Sequence, residues 1–436
     1  MRALGRIHLP QPLPPSAYLV GGAVRDLWWG QRPADFDLVC AQPQQLAPQL
    51  AAQWAGQAFE LDAARQHWRV VAPAGHHDLA PLYQSLEADL GRRDYTINAL
   101  AASHRGAVYG LPMAAHDLKH RILRAVRRHN LWDDPLRSLR GIRLATCHQL
   151  TIEPRTWGWL TQHAQHLSHQ KTWPAWERVG QELNRLMLSP HAPRGWRLLE
   201  ASGLLEVYLP ELARGVQTWQ GGFHQHTVWH HCIQTLALLL QLYPNAPLAL
   251  RWAALLHDLG KPDSQQPHPA GRGFRFLGHA QLGSHQAQEL LERLRQPREL
   301  VVQVADLIRH HMERPQGEEK TVRRYLFRHR SRLPGLGWLL QADLGSIAGI
   351  RSELPQLQAT LGQIEAWRTA QPDPRPLLTG HQIMELLGIE PGPQVGRMMH
   401  KLLQAQALGK VSTTEEAQQF IRAQVPARRA PHTGSE

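Results

Sequence analysis

The stretch YLVGGAVRDLWWGQRPADFDLV, residues 18–39, constrains the fold of this chain more than any other. Two apolar runs of strand length, SAYLV and DFDLV, flank a Gly-Gly turn and a helix start, so residues 16–40 read as β-turn-α-β. Backbone N–H groups left open at Gly21 and Gly22, ahead of a helix, form an anion site. Arg25 follows one turn along, where a guanidinium can fork onto a phosphate. Asp35 and Asp37 are two apart on what reads as a strand, so their side chains share a face and can share divalent ions. A phosphate cradle beside paired carboxylates is what phosphoryl or nucleotidyl transfer needs. Two metals about 4 Å apart activate an attacking hydroxyl and steady a leaving pyrophosphate. Taken singly, the glycines read as a turn and the aspartates as a solvated strand end; together, at this spacing, they point to function.

The rest of the chain sets the context. HWRVVAP (67–73) alternates as a strand does, HHDLAPL reads as one more, and from about Asp94 onward the pattern turns helical. In DDPLRSLRGIRLATCHQL, Leu136, Leu139, Ile142 and Leu144 fall near helical spacing with arginines on another face. A break falls at QTWQGGF (217–223), and a His-rich helical block follows over 226–350. QPDPRPLLTG (371–380) reads as a Pro-rich linker and PARRAPHTGSE as a disordered tail. No internal repeat is visible. A length of 436 residues implies two to four domains. A formal charge of +12 points to a polyanionic partner. Cys40, Cys147 and Cys232 are odd in number and far apart, which excludes a disulfide framework and suits a reducing cytoplasm. With no apolar signal region and no run of about 18 apolar residues, a soluble protein away from membranes is expected.

Five ordered motifs carry a family resemblance: GGAVRDLWWG…DFDL, RRDYTINAL (92–100), HDLKHRILRAV (116–126), DDPLRSLRGIRLA (133–145) and ERVGQEL (177–183). Their order resembles that of the class II tRNA nucleotidyltransferases, the CCA-adding enzymes and their bacterial poly(A) polymerase relatives. The resemblance implies that Asp35 and Asp37 bind catalytic metals, with Asp78 as the candidate third carboxylate. It implies that Gly21, Gly22 and Arg25 hold a triphosphate, that Arg93 contacts the nucleotide, and that Asp94 and Asn98 lie near its sugar. Asp134 and Arg137 resemble the pair that reads the base's Watson–Crick edge, with Arg140 beside them. A carboxylate accepts from the exocyclic amine of cytosine or adenine and a guanidinium donates to ring nitrogen or carbonyl, so a protein template for C and A makes chemical sense. Outside its motif, Asp134 with Arg137 would read as an i,i+3 ion pair on an exposed helix.

Three departures from the family pattern stand out. Asp133 replaces the usual glutamate, and YGLPMAAHDLK replaces the usual Asp-Pro-x-x-Gly before DLK, leaving Asp117. The third is length: Asp94 follows Asp78 by only sixteen positions, which leaves little room for the flexible loop the family usually carries there. A shortened loop resembles the enzymes that add only CC and leave the last A to a partner.

A second constellation is spread over VWHHC (228–232), LLHDLGKP (255–262), LGHAQLGSHQ (277–286), LIRHHM (307–312) and QADLGSI (341–347). Helices in a bundle can bring such residues to one metal. The pattern resembles the HD phosphohydrolases, which implies His231, His257, Asp258 and Asp343 as ligands to a divalent metal of unassigned identity. His279 and His310 are candidates for a second metal or a substrate phosphate, and Lys261 is placed to face a phosphate. A chain with 27 histidines will bring some together by chance, but HDLGK is a specific string. Residues 377–421 resemble the C-terminal segment of many class II enzymes, with Met398 and Met399 as packing residues and STTEEA as a capped helix start.

The expectation is therefore α+β. A polymerase-β-like nucleotidyltransferase head with a small mixed sheet (1–125) precedes a helical neck (126–220), an HD-type domain (221–370), a tRNA-binding-like module (371–424) and a tail (425–436). The implied activity is untemplated building of the tRNA 3′-terminal CCA, or only CC, from CTP and ATP with Mg2+, in the cytoplasm. CC addition alone would require a separate A-adding enzyme in the same cell. A poly(A) polymerase and an RNA-binding protein with retired sites are the competing readings.

Overall fold

An eight-stranded mixed sheet carries the N-terminal carboxylates. Its strands are β1 (Arg2–Arg6), β2 (Ala17–Val20), β3 (Phe36–Cys40), β4 (Gln57–Asp62), β5 (His67–Ala72), β6 (Gly75–Pro81), β7 (Leu100–Ala102) and β8 (Ala107–Gly110). They lie in the order β1-β8-β7-β2-β3-β6-β5-β4 in this computed structural model, which describes residues 2–33, 35–73, 75–169, 173–221, 225–269, 273–370 and 375–424. β3 and β6 run parallel and the other neighbours antiparallel. The register sets Asp37 beside Asp78 on β6, and Asp78 beside Arg69 on β5. Apolar residues alternate inward from β2, β3 and β7, so Val20, Val39, Ala99 and Ala101 pack with Leu90 into a core beneath the site.

The helices of the first unit are α1 (Gly22–Trp28), α2 (Pro43–Gln53), α3 (Leu86–Gly91), α4 (Ala114–His120), α5 (Arg128–Asp133), α6 (Leu136–Cys147), α7 (Pro154–Leu167), α8 (Trp176–Leu188), α9 (Ala192–Ala201), α10 (Leu204–Tyr208) and α11 (Pro210–Gln217). The unit comprises residues 1–217 together with 288–301. Leu139, Ile142 and Ala145 of α6 meet Val179, Leu183 and Leu186 of α8 as apolar stripes at 3.6-residue spacing. The 294–296 turn lies so close to α8 that a Cβ on Gly180 would sit 2.4 Å from the Leu294 carbonyl oxygen. Beside it, Asn184 Nδ2 donates to Gln296 Oε1 at 2.7 Å.

The second unit, 218–287 with 302–436, is built on α12 (Val228–Leu242), α13 (Leu248–Leu256), α14 (Lys261–Ser264), α15 (His279–Arg293), α16 (Arg298–His310), α17 (Glu319–His329), α18 (Gly335–Ser346) and α19 (Leu354–Ala370). α15 and α16 thus run from this unit into the first. α12 and α13 are apolar nearly all round, and α12 is buried against α13 and α18. α20 (Gly380–Leu387), α21 (Pro393–Ala407) and α22 (Thr414–Arg422) close over Leu378, Ile383, Met398, Leu402 and Ile421, with Met399 at the edge. The capping box at Thr413 and Glu416 starts α22.

The expected α+β architecture is present. β1, β4, β7 and β8 are not expected from the sequence, and the last two lie in the region that reads as helical after Asp94; RALGR, LAA and AVYG are short and QAFELD has no β-branched residue, so none shows a strand period. The tail expected at 425–436 lies outside the described residues. Among the described residues no helix is long and apolar enough to cross a membrane.

Candidate active site and metal centre

Asp37 projects from β3, whereas Asp35 precedes the strand rather than lying on it as the sequence suggests. Asp37 stays open to solvent in a concave setting. The protein around it displaces enough water to push its carboxyl up; Arg93 opposes the rise, and Asp78 and Asp35 add to it. A cluster of acidic oxygens that raises the pKa of its own member fits a hard divalent cation such as Mg2+. Asp78 stands in the expected place beside Asp37, but both its oxygens are taken by a fork from Arg69, Nε to Oδ1 at 2.7 Å and Nη2 to Oδ2 at 2.8 Å.

Gly21 has φ 77°, and a Cβ there would lie 3.0 Å from Arg93 Nη1 and 3.7 Å from Asp37 Oδ2. The turn therefore needs glycine twice over, for its backbone and for the approach of a cation and a carboxylate. Gly22 begins α1. Arg25 is not turned outward as a phosphate fork requires. It is buried, pairs with Asp26 and donates through Nη1 to Asn98 Oδ1 at 2.5 Å. Asn98 Nδ2 donates to Asp94 Oδ1 at 3.2 Å, and Asp94 Oδ2 lies 3.5 Å from Arg140 Nη1. Arg140 and Arg143 both pair with the buried Glu182 of α8. The sequence candidates Arg25, Asn98, Asp94 and Arg140 thus form one polar chain ending on α8.

Asp134 and Arg137 are not the i,i+3 pair that isolated helix rules suggest. Arg178 Nη2 donates to Asp134 Oδ2 at 2.8 Å, and the Leu136 N–H donates to Oδ1 at 3.1 Å. Burial acts to raise the Asp134 carboxyl, but these hydrogen bonds outweigh it and hold the group below its usual range. Arg137 Nη1 donates to the carbonyls of Arg92 at 3.0 Å and Asn130 at 2.8 Å. Tyr95 Oη donates to the Arg137 carbonyl at 2.8 Å, tying RRDYTINAL to α6. Asp117, fully buried, accepts from Thr96 Oγ1 at 2.7 Å and Arg124 Nε at 3.0 Å, which makes it a lock for the same segment. Sequence reasoning missed Arg69, Arg178, Glu182 and Arg185, whose Nη2 is 3.9 Å from Asp35 Oδ2. ERVGQELNR (177–185) already held a signal: positions 178, 182 and 185 are i, i+4 and i+7, one face of a helix.

The second unit gathers His231 from α12, His257 and Asp258 after α13, His279 at the start of α15, His311 just beyond α16, and Asp343 from α18, all buried. His231 Nε2 and His257 Nε2 face each other at 3.1 Å; His279 Nε2 and His311 Nε2 do so at 3.3 Å. The Nδ1 atoms of His257, His279 and His311 lie 2.7–3.0 Å from the carbonyls of Ala254, Phe276 and Ile308, so each must carry the proton there. In that tautomer His279 and His311 oppose bare Nε2 lone pairs across 3.3 Å, an arrangement that a metal ion or a shared proton relieves. Asp258 joins the two pairs, with Oδ2 3.3 Å from His257 Nε2 and Oδ1 3.4 Å from His279 Nε2. Asp343 Oδ1 is 3.1 Å from His231 Nε2. The residues form two metal-sized groups sharing Asp258: His231, His257, Asp258 and Asp258, His279, His311. Lys261 Nζ reaches Asp258 Oδ2 at 2.6 Å and Gln220 Oε1 at 2.6 Å. His310, expected in this group, instead faces Asp306 and Glu313; its neighbour His311 takes the place.

Both sites fall in segments that match known families. The family model for the poly A polymerase head domain matches residues 17–79 and 49–124, and that for the probable RNA and SrmB-binding site of polymerase A matches 149–215. The HD domain model matches 228–344. The CC-adding tRNA nucleotidyltransferase of Thermus thermophilus is 44% identical over 96% of this chain and 96% of its own. The A-adding tRNA nucleotidyltransferase of Deinococcus radiodurans is 42% identical over 94% of this chain and 96% of its own. Among solved structures, the Bacillus stearothermophilus CCA-adding enzyme in complex with CTP has a TM-score of 0.63 at 21% identity, covering 93% of this chain and 92% of that one.

Proposed function

The chain belongs to the tRNA nucleotidyltransferase family, and from that membership we propose that it builds the 3′ end of tRNA from CTP and ATP without a nucleic-acid template. The observation that carries this reading is the convergence of Gly21, Arg93 and Asp37 at the end of β3 with Asp35 just before it, beside an Asn98–Asp94–Arg140–Glu182 chain that ends on α8, the helix whose Arg178 also holds Asp134. Asp35 and Asp37 would hold Mg2+, which supplies charge neutralisation for attack of the RNA 3′-hydroxyl on the α-phosphorus and loss of pyrophosphate. Asp134, held ionised by Arg178, accepts from the exocyclic amine that cytosine and adenine share. Arg93 and the Gly21 turn receive the triphosphate.

The product is CC. Only Leu82–Ser85 separates β6 from α3, which leaves little room there for a segment to act as a lever and supports this reading. A pocket changes specificity only if something stabilises its second arrangement. A separate A-adding enzyme then completes the tRNA, and both act in the cytoplasm. The test is incubation with tRNA lacking CCA plus CTP, ATP or both, with products resolved by length. Two added C residues are expected with poor A addition; efficient completion to CCA, or long A tails from ATP alone, would overturn the CC assignment.

The HD cluster is a second, metal-dependent phosphohydrolase site. His231, His257, Asp258, Asp343, His279 and His311 would hold the metal, which supplies an activated water for phosphoester hydrolysis. Lys261, which holds Asp258 Oδ2 in the free protein, would receive the phosphate once the metal takes that oxygen.

A further inference from the structure

α8 sends Arg178, Glu182 and Arg185 from one face toward the nucleotidyltransferase site. The first two are engaged with protein, Arg178 on Asp134 and Glu182 on Arg140 and Arg143. Arg185 is different. It is exposed, and its guanidinium meets the equally exposed Asp35 at 3.9 Å, at the outer limit of an ion pair. The two carboxylates of the site are thereby told apart. Asp37 opens toward Gly21 and Arg93, the side on which a triphosphate is received. Asp35 opens toward α8 and Arg185.

A divalent cation on Asp35 repels a guanidinium about 4 Å away and competes for the same oxygen. Arg185 must then turn to another anion. The triphosphate has its own cation on the Asp37 side. The other polyanion in the reaction is the RNA, whose 3′-hydroxyl has to approach from the remaining, Asp35 side. We propose that Arg185 is a positioning residue for the RNA: it binds the phosphodiester that precedes the terminal nucleotide and so holds the 3′-hydroxyl at Asp35. A planar fork suits a phosphodiester's two free oxygens, and a single contact of this kind fixes the register of the strand without reading its sequence. The inference rests on the nucleotidyl-transfer reading of the site.

The test uses the full-length protein, CTP and tRNA lacking CCA. Arg185→Ala should raise the KM for tRNA about tenfold, equivalent to one charge-assisted contact, and leave the KM for CTP within about twofold. Arg185→Lys should recover most of the loss, because a point charge still meets phosphate. Binding of a tRNA with a 3′-deoxy end in Mg2+ gives a readout apart from turnover. The slope of log affinity against log salt should flatten by about 0.7 in Arg185→Ala, the signature of one lost single-strand phosphate contact. A raised KM for CTP with tRNA binding unchanged would put Arg185 on the triphosphate and overturn the proposal. So would no change in either, which would leave a surface ion pair. Failure of the unaltered protein to add any nucleotide would instead sink the reading on which the inference rests.

Discussion

Tyr95 and Gly141 show how closely single residues in distant motifs depend on each other. Tyr95 is fully buried, and its hydroxyl oxygen would lie 2.0 Å from a Cβ placed on Gly141 of α6. Gly141→Ala should therefore cost about 1–3 kcal/mol by overpacking, read as a lowered midpoint in urea. An unchanged midpoint would mean that the two motifs part without penalty. His163 gives a second prediction. It is buried, Ser138 Oγ lies 2.6 Å from its Nδ1, and burial followed by the charge of His166 pulls its pKa down to about 4. The folded state then binds fewer protons than the unfolded one between pH 6.5 and 4. Stability is fully present above pH 6.5 and falls on acidification through that window, by about 3 kcal/mol at most from this group. His163→Asn can still pair with Ser138 but does not titrate, so its stability should vary less steeply across that window; an equally steep profile would assign the acid sensitivity to other groups. Neither Tyr95 nor His163 announces its role in the sequence, because contact between residues twenty-five or more positions apart leaves no local pattern.

Elements explain what was legible. The Gly-Gly turn and Asp37 are legible because a turn and a strand fix the geometry of neighbours within a few residues, whereas Asp35, one residue before β3, escapes the strand rule. The same locality concealed β7 and β8, whose three and four residues form strands only because β2 offers a ladder to extend. It also put the HD candidate one residue off. In LIRHHM, periodicity cannot choose between two adjacent histidines, and the choice is made where α16 ends at His310 and the chain turns His311 inward. The consequence is measurable. Bound metal per chain, determined on the purified protein after exposure to Mn2+ or Zn2+, should fall in His311→Ala and stay unchanged in His310→Ala. Equal loss in both would show that the helix end does not set the ligand. Asp134 and Arg137 make the converse point. They lie on one short segment, yet their partners, Arg178 and two backbone carbonyls, come from other elements, so those pairings are hidden until the fold brings them together.

At the scale of the whole molecule, a net charge of +12 suits a chain that handles a polyanion, but the charge does not say which of its two constellations meets the RNA. The carboxylates of the sheet lie in one compact unit and the HD cluster in the other, each over its own core. Two sites without shared partners should respond independently to substitution, within about 0.3–0.5 kcal/mol. His257→Ala and Asp258→Ala should therefore abolish metal-dependent phosphoester hydrolysis while nucleotide addition stays within about twofold of the unaltered protein. Removing one partner from a buried charged cluster endangers folding, so thermal unfolding must first show an intact protein. One structural feature argues the other way. α15 and α16 begin and end near His279 and His311, and the turn between them belongs to the unit that carries α8, where Gln296 holds Asn184. A strain imposed at the histidine ends thus has a route to the helix that holds Arg178 and Glu182, covalent as far as the 294–296 turn and by hydrogen bond from there. If addition falls in step with hydrolysis in a folded His257→Ala protein, independence is wrong and that pair of helices is the route to examine; an Asn184→Ala, Gln296→Ala pair should then restore addition by cutting the hydrogen bond through which the strain arrives.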